Sequence, residues 1–321
     1  MRRVIWAVVG AMLLGIAAFM ILTMPRTIDA SELPKHTPDL ANGEYMFHTG
    51  GCSSCHAAPA PSGKCDDPAT PDKLKLAGGR CLKTPYGTFY APNISPDPKH
   101  GIGGWSDIEF VNAMMRGVAP DGSHLYPAFP YLSYQRMSYP DVLDIKAYLE
   151  TLTPVKSTAP ANDLKLPYRL RRGIGLWKRI FMDDRQFEPD LARSAELNRG
   201  AYLVEGPGHC GECHTPRDAL GGPIANEQLA GGPAPEGRGY IPNLTPGQGG
   251  LSWSAGEIAY ALKSGFTPDF DTLGGTMTKV QENMAQLTDE DRKAIADFLK
   301  SLPPVASKRP KGGDGSGQSG S

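Results

Sequence analysis

Cys52-Ser-Ser-Cys55-His56 and Cys210-Gly-Glu-Cys213-His214 are two copies of one pattern, and the rest of the 321-residue chain is read outward from them. Cys-x-x-Cys-His is the attachment motif for c-type haem. Two thiols about one helical turn apart add to the two vinyl groups of the porphyrin, and the next residue's imidazole is carried beneath the iron as its proximal ligand. Cys52, Cys55, Cys210 and Cys213 are therefore expected to form thioethers, and His56 and His214 to ligate iron, giving two covalently bound haem c groups. A structural zinc site would need four ligands closing a tetrahedron, but the motifs stand far apart, at 52 and 210. A thioredoxin-like pair would lie between the strand and helix of a βαβ unit, and no such context surrounds either motif.

The motifs belong to a longer tandem repeat. Gly43-Glu-Tyr45 corresponds to Gly200-Ala-Tyr202 before the motifs, and Tyr90-Ala-Pro-Asn93-Ile-Ser-Pro96 to Tyr240-Ile-Pro-Asn243-Leu-Thr-Pro246 after them. Trp105-Ser106 then pairs with Trp253-Ser254, and both halves end in apolar residues at helical spacing, Val142–Leu152 and Arg292–Leu302. From Cys55 to Tyr90 is 35 residues, and from Cys213 to Tyr240 is 27. The extra length is the loop holding Cys65 and Cys81, a plausible disulfide in an oxidising compartment.

Each half reads as a helix ending in the haem motif, a long irregular stretch, a middle helix, a loop and a last amphipathic helix. The expected fold class is all-α, two tandem class I cytochrome c domains after one N-terminal transmembrane helix. The expected boundaries are an anchor at 1–26, domains at 35–152 and 191–305, a connector at 153–190 and a disordered tail at 306–321. Domains this small and so rich in Pro and Gly need the haem at the centre of the core. The distal ligand in such a fold comes from the loop before the last helix. In the first half the only methionine there is Met137, whereas Met114 and Met115 suit core packing and His100 and His124 are weaker candidates. In the second half Met277 and Met284 both qualify, and Met277 is preferred because Gly274 and Gly275 would let the backbone approach the haem.

Charge excludes one class of partner. With 33 basic and 34 acidic residues the formal net charge is -1, and no like-charged block suggests nucleic acid. Val4–Thr23 is an uncharged apolar run that spans about 30 Å as a helix, enough for a bilayer core. It exceeds the usual signal-peptide core, and no small-x-small cleavage site precedes Pro25, so an uncleaved anchor is expected with everything from about Thr27 exported.

Taken together, Cys52-Ser-Ser-Cys-His56, Thr84-Pro-Tyr-Gly-Thr-Phe-Tyr-Ala-Pro-Asn-Ile-Ser-Pro96, Gly117-Val-Ala-Pro-Asp-Gly122, Tyr126-Pro-Ala-Phe-Pro-Tyr131 and Leu287-Thr-Asp-Glu-Asp-Arg292 resemble the multihaem cytochrome c subunits of bacterial periplasmic alcohol, sugar and aldehyde-type dehydrogenases. The resemblance implies an electron-transfer subunit with no catalysis of its own, taking electrons from a partner dehydrogenase and passing them to quinone, a soluble cytochrome or a terminal oxidase. It implies a single-pass protein of the bacterial inner (cytoplasmic) membrane with its haem domains in the periplasm, and Met137 and Met277 as distal ligands. Relatives of this kind often carry three haem motifs, and this chain has two. The rival from another class is a dihaem redox enzyme, such as a peroxidase or thiosulfate-oxidising cytochrome, in which one iron would have an open or labile position.

Overall fold

The structure is a computed structural model that describes residues 1–59, 72–234, 239–306 and 308. Cys65 and nearly all of the tail from 306 onward lie outside these residues, and with them the Cys65–Cys81 pair and the tail. The chain divides into two compact units, Met1–Glu188 with Gly206–Gly208, and Pro189–Glu205 with His209–Ser321.

The first unit begins with α1 (Arg2–Leu22), an apolar helix with no buried residue. Two helices form the frame of the unit, α2 (Leu40–Thr49) and α6 (Tyr139–Glu150), which pack against each other. Asp39 caps α2 by accepting from the N–H groups of Ala41 and Asn42, and Ser138 caps α6 by accepting from that of Asp141. Their crossing is close because Gly43 lies at it, where a Cβ would stand 2.1 Å from the Asp144 carbonyl oxygen. The Asp144 carboxylate, on the same turn of α6, is buried and accepts from His36 Nε2 at 2.6 Å and from the Asp39 N–H and Asn42 Nδ2 at 2.8 Å each. Phe47 and Tyr148 meet across the pair with their rings tilted at 58°, 5.3 Å between centroids.

Between the frame helices lie α3 (Cys52–His56), α4 (Asp107–Arg116) and α5 (Tyr131–Tyr134). The Trp105-Ser106 repeat has a local cause: Ser106 and Glu109 form a capping box at the start of α4. The all-α expectation needs correction, because β1 (Cys81–Thr84), β2 (Gly87–Tyr90) and β3 (Asp163–Leu164) form an antiparallel sheet in that order. Thr84-Pro-Tyr-Gly87 turns the chain, and Thr88, Phe89 and Tyr90 favour extended backbone. Tyr90 pairs with Cys81, and Gly87 with Leu164 of the connector. The connector then runs into α7 (Ile174–Phe181).

The exit of α1 is built into this unit. Thr23 is wholly buried, and its carbonyl accepts from His124 Nε2 at 2.9 Å. Arg26 pairs with Asp184 at 2.8 Å, and the Ile28 N–H and C=O bond the Asn112 amide at 2.7 and 3.1 Å.

The second unit repeats the frame with α8 (Ala195–Glu205) on α12 (Asp289–Ser301). Gly200 lies at its crossing, where a Cβ would stand 2.0 Å from the Ala294 carbonyl oxygen. Arg199 and Asp291 clasp the pair through two bonds, 2.9 and 2.7 Å. Between them come α9 (Gly211–His214), a two-strand ladder of β4 (Gly232–Pro233) with β5 (Tyr240–Ile241), α10 (Ala255–Ser264), opened by a Ser254–Glu257 capping box, and α11 (Met277–Met284). Helices dominate both units, but the strands make the class helical with small sheets.

Candidate functional site

Each Cys-x-x-Cys-His motif is a short turn of helix held to the segments that follow it. In the first unit Cys52 is half-buried, Cys55 exposed and His56 half-buried, and in the second Cys210, Cys213 and His214 repeat that order. Burial, with Cys55 or Cys213 alongside, pushes the Cys52 and Cys210 thiols up to about 12.

Both histidines are oriented by backbone. His56 Nδ1 donates to the Pro92 carbonyl and His214 Nδ1 to the Pro242 carbonyl, 2.8 Å in each case. A carbonyl can only accept, so Nδ1 carries the proton and the Nε2 lone pair is left for a metal. Burial holds both rings below the usual histidine value, with the carbonyl bond acting the other way. Neutral imidazole is the ligating form.

The carbonyl acceptors are held in turn by a repeat that sequence reasoning missed. Leu76-Ala-Gly-Gly79 matches Leu229-Ala-Gly-Gly232. Gly78 N–H donates to the His56 carbonyl at 2.9 Å and Gly231 N–H to that of His214 at 2.7 Å. Leu76 O accepts from Ile94 N–H, and Leu229 O from Leu244 N–H. The Tyr-x-Pro-Asn repeat now has a role: Asn93 Nδ2 donates to Val155 O and Asn243 Nδ2 to Val305 O, both at 2.7 Å, fastening the proline segment to the chain beyond the last helix.

Met137 is fully buried in the turn between α5 and α6. The Tyr134 hydroxyl, three residues earlier, donates to Gly50 O at 3.1 Å, so the turn bearing Met137 meets the chain just ahead of Cys52. The other candidates are spent elsewhere: Met114 and Met115 are buried on α4, His124 binds Thr23 O, and His100 Nδ1 lies 3.0 Å from Asp97 Oδ1. In the second unit Met277 opens α11 half-buried, and Met284 ends it buried, with Arg292 Nη1 on its carbonyl at 3.1 Å. Met284 thus sits where packing and helix closure account for it.

The donor set fits haem c: paired thiols, a neutral imidazole with fixed tautomer and a thioether candidate. Arg80 adds a further mark, because its Nη1 is buried with no partner among the described residues, a position that an anionic propionate would satisfy. The second unit has Pro233 after its Leu-Ala-Gly-Gly run, so this mark is confined to the first.

Residues 197–303 match the cytochrome c family model. Over 95% of its length the chain is 48% identical to a diheme cytochrome c-type protein of Cereibacter sphaeroides, all of which is covered. It is 38% identical to the cytochrome c subunit of an alcohol dehydrogenase (quinone) of Gluconacetobacter polyoxogenes, over 84% of this chain and 58% of that one. It is 35% identical to the cytochrome c subunit of a gluconate 2-dehydrogenase of Pantoea cypripedii, over 91% of this chain and 64% of the other. The chain therefore spans somewhat under two thirds of those two dehydrogenase subunits.

Proposed function

Because the chain belongs to the dihaem c-type cytochromes, which bind haem c covalently, we propose that it holds one haem at each Cys-x-x-Cys-His motif and carries electrons from a partner dehydrogenase toward the respiratory chain. Bound haem c supplies a one-electron ferric–ferrous couple. In the first unit Cys52 and Cys55 would form the thioethers, and His56 Nε2 and the Met137 sulfur would hold the iron. In the second unit Cys210, Cys213, His214 and Met277 take these roles, with Met284 left to packing. The observation that carries the reading is the doubling: a 2.8 Å ring-to-carbonyl bond fixes a neutral imidazole beside two thiols in each unit. Cys55 and Cys213 are exposed, which leaves the edge of each site open to a redox partner.

The relatives are cytochrome c subunits of dehydrogenases, so this protein is an electron carrier and not the catalytic component. Its donor, by the same token, is a dehydrogenase, and its acceptor a quinone, soluble cytochrome or oxidase. Retention of α1 as a single-pass anchor of the cytoplasmic membrane, with both units on the periplasmic side, is supported by the burial of Thr23 and the bonds of Arg26 and Ile28 within the first unit. Cys65 and Cys81 are assigned to a disulfide bracing the longer loop of that unit, which mass spectrometry without reduction would detect. Pyridine haemochrome analysis of the purified chain should return two haems. Both irons should show the weak methionine-to-iron band at the red edge of the oxidised spectrum, and the reduced protein should ignore carbon monoxide. Rapid carbon monoxide binding at either site would overturn the carrier reading there.

A further inference from the structure

Helix α7 half-buries Ile174, Trp177 and Phe181 but is inverted on its remaining faces. It buries Gly175 and Lys178 and turns Leu176 and Ile180 outward, at 37% and 64% exposure. The buried ammonium is satisfied: Lys178 Nζ donates to Arg116 O and Gly117 O at 2.6 Å each and lies 4.7 Å above the Tyr131 ring. A helix facing water buries its apolar stripe and exposes its lysines, so the outer face of α7 is not arranged for water. The loop before it continues the pattern, with Leu166, Tyr168 and Leu170 at 73%, 44% and 66% exposure and Lys165 and Arg169 exposed among them.

Its position identifies what covers that face. Arg172 Nε donates to Thr23 Oγ1 and its Nη2 to Met20 O, both at 2.9 Å, and Arg179 donates to Leu22 O. At Gly175 a Cβ would stand 2.8 Å from the Thr23 Cα, so only a residue without a side chain lets α7 lie against the exit of α1. A 21-residue helix spans about 31 Å, so the carbonyls of its last turn reach the far interface of a bilayer core, and α7 is fastened at that level. Apolar side chains interleaved with basic ones suit a helix lying in an anionic lipid interface.

We propose that α7 and the Leu166–Leu170 loop rest in the outer surface of an anionic bilayer, seating the first unit at the exit of α1. The inference rests on the retention of α1 as an anchor. Its test uses the full-length haem-loaded protein in vesicles of phosphatidylcholine and phosphatidylglycerol in equal parts. Nitroxide labels are placed one at a time at Leu170→Cys and Ile180→Cys. Leu14→Cys reports the middle of α1, and Leu40→Cys an exposed leucine of α2. The expected result is a ratio of oxygen to nickel-chelate accessibility several-fold higher at 170 and 180 than at 40, approaching that at 14. If 14 reads as lipid but 170 and 180 match 40, the interfacial seat is overturned while the anchor stands. If 14 itself reads as water, the anchor reading fails and takes this one with it. Labels at 170 and 180 shielded from both reagents would mean that a protein covers the face, which also overturns the proposal.

Discussion

His56 and His214 owe their orientation to main chain, since the acceptors are the carbonyls of Pro92 and Pro242. That is why the two motifs were legible in the sequence and the supports of their histidines were not: covalent haem attachment would demand cysteines and histidine at fixed spacing, whereas a carbonyl acceptor leaves no residue type behind. Leu76-Ala-Gly-Gly79 and its copy were available as a repeat, but small residues in a loop carry no chemistry until the bond from the Gly78 N–H to the His56 carbonyl is seen. On the distal side, replacing Met137 with Ala should abolish the red-edge band of one haem and lower that haem's potential by ~0.1 V, a modest part of the ~0.8 V range set by axial ligands. Redox titration monitored by visible absorption measures both. Arg80→Leu removes a positive charge that favours the reduced state. It should lower the first haem's potential by ~50 mV, close to the ~59 mV that a tenfold change represents for one electron, and leave the second unmoved.

The frame helices are where repeat and structure agree most closely. Gly43 and Gly200 were read as a matched pair, and both stand at the crossing of first and last helices, where a Cβ would come within 2.1 and 2.0 Å of a facing carbonyl oxygen. Gly43→Ala or Gly200→Ala should therefore force the pair apart and destabilise its unit by ~3 kcal/mol, read as a lower denaturant midpoint. The units differ one residue away, where the first has Asp144 and the second Ala294. Burial alone would raise the Asp144 pKa, but bonds from His36, Asn42 and the Asp39 N–H outweigh it and hold it below 3.8. A carboxylate with a lowered folded pKa contributes stability that is fully present above 3.8 and is lost as pH falls through the folded value. Asp144→Ala should cost ~2 kcal/mol at neutral pH, and acid-unfolding curves of mutant and parent should converge at low pH. The strands escaped the sequence reading because each holds at most four residues, too few for an alternating pattern to emerge.

On the scale of the whole molecule, two repeats and one apolar helix were visible in the sequence. The connector was visible as the span 153–190, but the packing of α7 within it was not, because that helix buries Lys178 and exposes Leu176 and Ile180, against the pattern by which helices are recognised. Intact-mass measurement of the membrane-extracted protein should find α1 still attached. A chain beginning after Met24 would refute retention. The join itself has a dynamic consequence. Thr23, Arg26 and Ile28 are each fastened to the unit that follows, to His124, Asp184 and Asn112. The link is thus a bracket and not a leash: the first unit cannot swing out on a slack tether to collect electrons at a distance. Were α1 retained in a membrane, the first unit would reach a partner by drifting with its anchor in the plane of the bilayer, so encounters would be two-dimensional, with a rate that follows lipid viscosity rather than the length of any linker.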